Sequence, residues 1–266
     1  LFGSLANIWG LRAFHGADLK FNFQYFLYFM EIARRNRDQA LTTPRDSLIK
    51  FNANIAGKYK AGLGLNYLDN YINDAKLTDI IKAFISKYKL QAASSEDFKI
   101  FLEQNTKKEV DWFFDDYITK RGKIDFKIKS ITKTKDSLEI LIKNKHNTNL
   151  PLPIYRIEND SVIDKTWMKP FTGTQSITLP KDSTEMVVID HETMIPEFNQ
   201  RDNYRLIKKP FLNNKPLQIR LFKDIEDPYY DQVFIMPLIE FRNIYDGLTL
   251  GAKFYNKTIL RKRLNY

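Results

Sequence analysis

The chain has 266 residues, 43% of them hydrophobic and 28% charged, which fits one large or two ordinary globular domains and excludes a disordered or fibrous polypeptide. Cysteine is absent, so a disulfide framework, a thiolate metal site and a cysteine nucleophile are excluded; histidine occurs only at His15, His146 and His191. Basic residues exceed acidic ones by ten, with an excess of four over residues 1–121, none over 122–200 and six over 201–266.

The longest apolar run, residues 233–239, spans seven positions and contains Pro237, far short of the ~18 needed for a membrane-spanning helix. The chain opens on Leu1 with no signal pattern behind it, and it reads as a piece of a longer protein.

In chain order, the first helix is expected over residues 22–35. Phe23, Phe26, Leu27, Met30 and Ala33 form one stripe, and Tyr25, Tyr28, Phe29 and Ile32 make the other side apolar too, as in a helix that is either buried between other elements or without its covering partner. A second helix, 55–72, contains Gly57, Gly62 and Gly64. Each costs about 1 kcal/mol against alanine in a helix, so the three together imply close approach of another backbone. Residues 77–88 follow the i, i+3, i+4, i+7 template through Leu77, Ile80, Ile81, Phe84, Ile85 and Tyr88. Ser94, followed by Glu96 and Asp97, caps a fourth helix. A fifth, 110–118, carries Trp112, Phe113, Phe114 and Tyr117 and is closed by Lys120-Arg121-Gly122.

From Lys123 the pattern changes to alternation. Ile124, Phe126, Ile128 and Ile131 interleave with lysines, and Leu138, Ile140 and Ile142 follow a Lys135-Asp136 turn, which predicts a hairpin. Shorter strands fit at 152–158, 175–179 and 184–190, closing near Pro196 as an antiparallel β-sandwich. Beyond Pro210 and Pro216, residues 233–241 and 248–255 flank an Asn-Ile-Tyr-Asp-Gly turn. In the second arm Leu248, Leu250, Ala252 and Phe254 point one way, and a lone hairpin of this kind needs further strands. The fold class expected is α+β in several domains: a helical bundle over 1–121, a β-sandwich over 122–200, and an extended basic segment with a hairpin over 201–266.

His191-Glu192-Thr193-Met194-Ile195 begins like the His-Glu-x-x-His zinc motif, but the motif needs a second imidazole where Ile195 stands, and the context is a strand running into a loop. No glycine-rich phosphate loop or nucleophile elbow is present. Asp115-Asp116 are helix neighbours pointing about 100° apart, which reads as surface solvation. The basic residues do not interleave with the aromatics, so nucleic acid is not an expected partner.

The ordered set Gly57-Lys58-Tyr59-Lys60-Ala61-Gly62, then Ser94-Ser95-Glu96-Asp97-Phe98, then Val110-Asp111-Trp112-Phe113-Phe114-Asp115-Asp116-Tyr117, then strands, resembles the C-terminal half of the catalytic domain of the gluzincin, aminopeptidase-N-like zinc peptidases and the β-sandwich that follows it. The resemblance implies hydrolysis of peptides with a zinc cofactor in the parent protein. It implies that Tyr59 is the tyrosine whose hydroxyl stabilises the oxyanion of the tetrahedral intermediate. The family's lysine position holds Ala61 here. The zinc ligands in this family precede the tyrosine, so they are expected upstream of Leu1, and this chain alone is expected to bind no zinc and to be inert. Residues 237–252 resemble the opening hairpin of outer-membrane surface-antigen barrels, which implies membrane or barrel association through 201–266 and a location in the cell envelope, periplasmic or outer-membrane associated. The alternative is a non-catalytic envelope module that binds a partner or acts as a scaffold.

Overall fold

The computed structural model describes residues 23–73, 76–207, 217–222, 224–241, 244–245 and 247–256. Helices come first and strands second, a mixed α+β order. Helix α1, Phe23–Arg34, buries Phe26, Phe29, Met30 and Ala33 against Leu63 and Phe198, while Tyr28 is 47% exposed; one side of the helix is therefore open despite its apolar sequence.

Helix α2, Gly57–Ile72, continues from a single π-helical stretch, Asn52–Ala56. The wide turn pushes the Asn52 carbonyl outward, and a Cβ on Gly57 would stand 2.8 Å from it. The buried Asn52 amide donates to the Arg37 carbonyl at 2.9 Å and to Gln39 Oε1 at 2.8 Å, so the turn is held from outside as well. The other two glycines of α2 behave differently. A Cβ on Gly64 would meet the Tyr117 ring at 2.2 Å, and one on Gly62 would meet nothing within 4 Å. The close approach expected of this helix is thus made to one aromatic side chain and to its own π-turn, not to a neighbouring backbone.

Helix α3 is Leu77–Lys87. Helix α4, Ser95–Asn105, opens with a reciprocal cap: Ser94 Oγ accepts from the Asp97 amide at 3.1 Å, and Asp97 accepts from the Ser94 amide at 2.8 Å. Helix α5, Trp112–Ile118, is π-helical and buries Trp112, Phe113, Phe114 and Tyr117. Trp112 packs on Tyr67 and Tyr71 of α2 at centroid distances of 4.6 and 5.6 Å.

Three sheets follow. Strands β1 (Phe126–Lys133), β2 (Ser137–Asn144) and β5 (Thr174–Pro180) form an antiparallel sheet with β2 in the middle. Strands β3 (Leu150–Glu158), β4 (Ser161–Phe171), β6 (Met186–Ile189) and β7 (Tyr204–Leu206) form the second, in the order β4-β3-β6-β7. The β3–β4 hairpin turns on Asn159 and Asp160, both left-handed with φ of 47° and 58°, the conformation that tight two-residue hairpin loops require. One apolar core joins α2–α5 to both sheets: Leu138, Ile140 and Ile142 of β2 and Leu152 and Ile154 of β3 are fully buried in it beside Tyr67 and Leu68. Strand β3 is buried on both faces, because Tyr155 and Ile157 turn away from that core into a second cluster with Val188 and Tyr204.

The third sheet has the order β10-β9-β8. Strand β9 (Asp231–Phe241) pairs antiparallel with β10 (Leu248–Tyr255) along the whole of β10. Strand β8 (Leu217–Leu221) runs parallel to β9 and covers only Asp231 to Ile235 of it. Pro237 lies beyond that overlap, where β9 pairs with β10 alone.

Candidate functional site

Tyr59 stands in the first turn of α2, half-buried, with its ring 4.9 Å from Tyr25 and 5.6 Å from Tyr28. Its inner side leans on the Phe26 and Phe29 cluster. The next residue turns inward. Lys60 is 4% exposed, donates to the Lys120 carbonyl at 3.3 Å, and lies 5.7 Å from the centre of the Tyr117 ring. Burial lowers its pKa to about 8, with Asp38 acting in the opposite sense.

The residues of the zinc-like pentapeptide are engaged elsewhere. Asp190, at the end of β6, accepts the Met194 and Ile195 amides at 2.9 and 2.8 Å and shapes the loop; desolvation raises its pKa to about 8. His191 Nδ1 lies 2.6 Å from the Tyr229 hydroxyl, and burial lowers the imidazole pKa. Glu192 pairs with Lys165 at 2.9 Å, and Ile195 is fully buried. Among the described residues, no group of three or more His, Asp or Glu side chains is arranged to hold a metal ion. The surface-solvation reading holds for the exposed Asp115 but not for Asp116, which is buried because it accepts Lys120 Nζ at 2.8 Å and the Asn149 amide at 3.3 Å. His15 and the Arg261-Lys262-Arg263 cluster lie outside the described residues.

Two features escaped the sequence reading. The first is a cleft of about 750 Å³ between the end of α1, the start of β1, the turn after β2 and the loop 198–202. Arg34, Arg35, Lys123, Lys127, Lys145 and Arg201 line it, with Asp125 and Asp202. These cations come from four distant segments, so no spacing in the sequence announces them. Lys123, Asp125 and Lys127 share one wall because alternate residues of an extended chain face the same way.

The second is a carboxylate that joins the parts of the chain. Glu226, just ahead of β9, accepts Arg34 Nη1 of α1 at 3.4 Å and Arg201 Nε of the loop after β6 at 2.9 Å. Both Arg34 and Glu226 are 12% exposed at the side chain. Arg34 also donates to the Phe198 carbonyl at 3.0 Å, so the guanidinium is fixed from two sides.

The β8–β10 sheet presents an unusual surface. Register places Leu248 opposite Phe241 and Leu250 opposite Ile239, so these four share one face; Leu217, Ile219 and Leu221 of β8 continue it. Their exposures run from 53% at Leu221 to 73% at Ile239. The other face is mixed: Gln218, Arg220, Gln232, Glu240, Thr249 and Lys253 share it with the exposed Met236 and Leu238, and Phe234 stacks on Tyr255 at 5.9 Å. No helix among the described residues is long and apolar enough to cross a membrane. Compared with protein-family models, with curated proteins and with solved structures, the chain matches none.

Proposed function

We propose that this chain is the C-terminal part of a gluzincin-like aminopeptidase of the cell envelope, and that it does not hydrolyse peptides by itself. In this reading the helices are the end of the catalytic domain, the two sheets sharing one core form the β-sandwich behind it, and the zinc ligands belong to residues outside these 266. The observation that supports it is the setting of Tyr59: a half-buried phenol in the first turn of a helix, beside the exposed Tyr28, with its inner side braced by aromatic packing. A braced phenol can donate a hydrogen bond to an oxyanion without reorganising, an effect of roughly 3–4 kcal/mol. The test is hydrolysis of an aminoacyl anilide. The 266-residue chain should show none, with or without added zinc. The intact parent should show turnover that falls about 100-fold in Y59F at unchanged thermal stability. An unchanged rate in Y59F would assign Tyr59 to packing alone.

A second reading, a non-catalytic envelope module seated on a membrane through β8–β10, is favoured by the apolar face of that sheet. Transmembrane strands need about 9–11 residues with apolar and polar faces alternating; β9 has 11 residues, and β10 alternates Leu248, Leu250, Ala252 and Phe254 with Thr249, Gly251, Lys253 and Tyr255. The chain should float with phosphatidylcholine vesicles in a density gradient. I239E/L250E, which puts two carboxylates opposite each other on the apolar face, should leave it at the bottom. A wild-type chain that fails to float would end this reading.

A further inference from the structure

The cleft between α1, β1 and loop 198–202 has a charge balance that calls for a ligand. Counting the carboxylates that pair with its cations, Glu31 takes Arg35, Glu226 is shared by Arg34 and Arg201, and Lys145 is shared by Asp125 and Asp202 at 2.7 Å each. Among the described residues, six cations face four carboxylates, an excess of two positive charges. Lys123 and Lys127 are half-buried on the same wall and make no ion pair among the described residues. Lys123 instead lies 5.6 Å from the centre of the Phe198 ring. Half-buried ammonium groups lose hydration, and without a partner that loss is uncompensated. Low-dielectric walls on either side focus their field into the opening.

The surroundings are built rather than incidental. Arg34, Arg201 and Lys145 are each held by carboxylates from another segment, so the walls keep their shape without a ligand. The carbonyl end of α1, which would oppose an anion, is occupied: the Asn36 carbonyl accepts from Arg121, and the Ile32 and Ala33 carbonyls accept from the amides of residues 35–37. Asp125 makes its ion pair with Lys145 at 2.7 Å and none with Lys123 or Lys127.

We propose that this cleft binds a phosphate-type anion, held chiefly by Lys123 and Lys127, as either a soluble phosphate or the head group of an anionic lipid. The site is independent of the peptidase reading, since it uses neither Tyr59 nor zinc. The test uses the full chain and three proteins: wild type, K123Q/K127Q, and K82Q/K89Q, which removes two lysines that do not line the cleft. Inorganic phosphate and pyrophosphate are titrated by calorimetry. Separately, binding to phosphatidylglycerol vesicles is compared with binding to phosphatidylcholine vesicles. Saturable binding of the soluble anions, weakened at least tenfold in K123Q/K127Q and unchanged in K82Q/K89Q, identifies a soluble ligand. A preference for phosphatidylglycerol vesicles with the same variant pattern, and no binding of the soluble anions, identifies a lipid head group. No saturable binding in either arm, or equal weakening in both variants, overturns the proposal. Circular dichroism of K123Q/K127Q guards against misfolding; the substitutions remove no hydrogen bond of the framework, and an unfolded variant is replaced by K127Q alone, expected to weaken binding about threefold or more.

Discussion

Two glycines two residues apart in α2 should respond to alanine with opposite sign. At Gly64 the added methyl would sit 2.2 Å from Cε1 of Tyr117 and 2.9 Å from two further ring atoms. That ring is 3% exposed, and its hydroxyl donates to the Lys60 carbonyl at 2.8 Å, so it cannot swing away without breaking a buried bond. Overpacking costs about 1–3 kcal/mol and the lost hydrogen bond about 1 kcal/mol more, while alanine returns about 1 kcal/mol of helix propensity. The net is a destabilisation of about 1–3 kcal/mol for G64A. At Gly62 nothing lies within 4 Å of the new methyl, so only the propensity gain of about 1 kcal/mol remains. At roughly 2–4 °C per kcal/mol for a chain of this size, G64A should melt about 2–12 °C lower than wild type and G62A about 2–4 °C higher. Differential scanning calorimetry reads both. G64A melting at or above wild type would refute the Tyr117 packing on which the sign depends.

Other consequences concern charge. E226Q leaves Arg34 and Arg201 facing each other without their shared carboxylate, and at this depth the loss should be about 2 kcal/mol in urea denaturation, part of the larger cost known for fully buried pairs. A variant as stable as wild type would mean that the junction does not depend on that carboxylate. Asp190 has a folded-state pKa raised by burial to about 8, so the folded chain holds a proton that the unfolded chain releases near pH 4. Its contribution is fully present below about pH 4 and is lost as pH rises to about 8. The stability advantage of wild type over D190N should therefore shrink across that window in urea titrations; an advantage that grows with pH would contradict the assignment.

Regular elements with one wet face were legible from the sequence. The stripe from Leu77 to Phe84, the Ser94 cap, and the alternation of Leu138, Ile140 and Ile142 each rest on local periodicity, and each is found within a residue or two of its expected place. Strand β4 was not among the expected strands: the polar run Asp164, Lys165 and Thr166 breaks the alternation, yet Asp164 pairs with Arg156 and Lys165 with Glu192. Strand β8 was hidden for another reason, since a five-residue parallel pairing depends on β9, reached only after a further loop. The π-helical Trp112–Ile118 was read as ordinary helix, because its residues are helix-compatible and only the hydrogen-bond ladder differs, and most of the π-helical Asn52–Ala56 lies ahead of the helix expected from residue 55. Of the candidate site, Tyr59 came from a motif, whereas the cleft came from cations that only the fold assembles.

The short reach of β8 has a directional effect on how the third sheet can grow. Past Ile235 the free side of β9 carries Pro237, a residue confined to strand borders because it lacks a donor. The outer border of β10 has no such stop among the described residues: eight positions in a row with one charge, Lys253, and no proline. Additional strands, whether from more of the same polypeptide or from a second molecule in a concentrated solution, would join more readily at that border, which offers eight positions, than at the outer border of β8, which offers five.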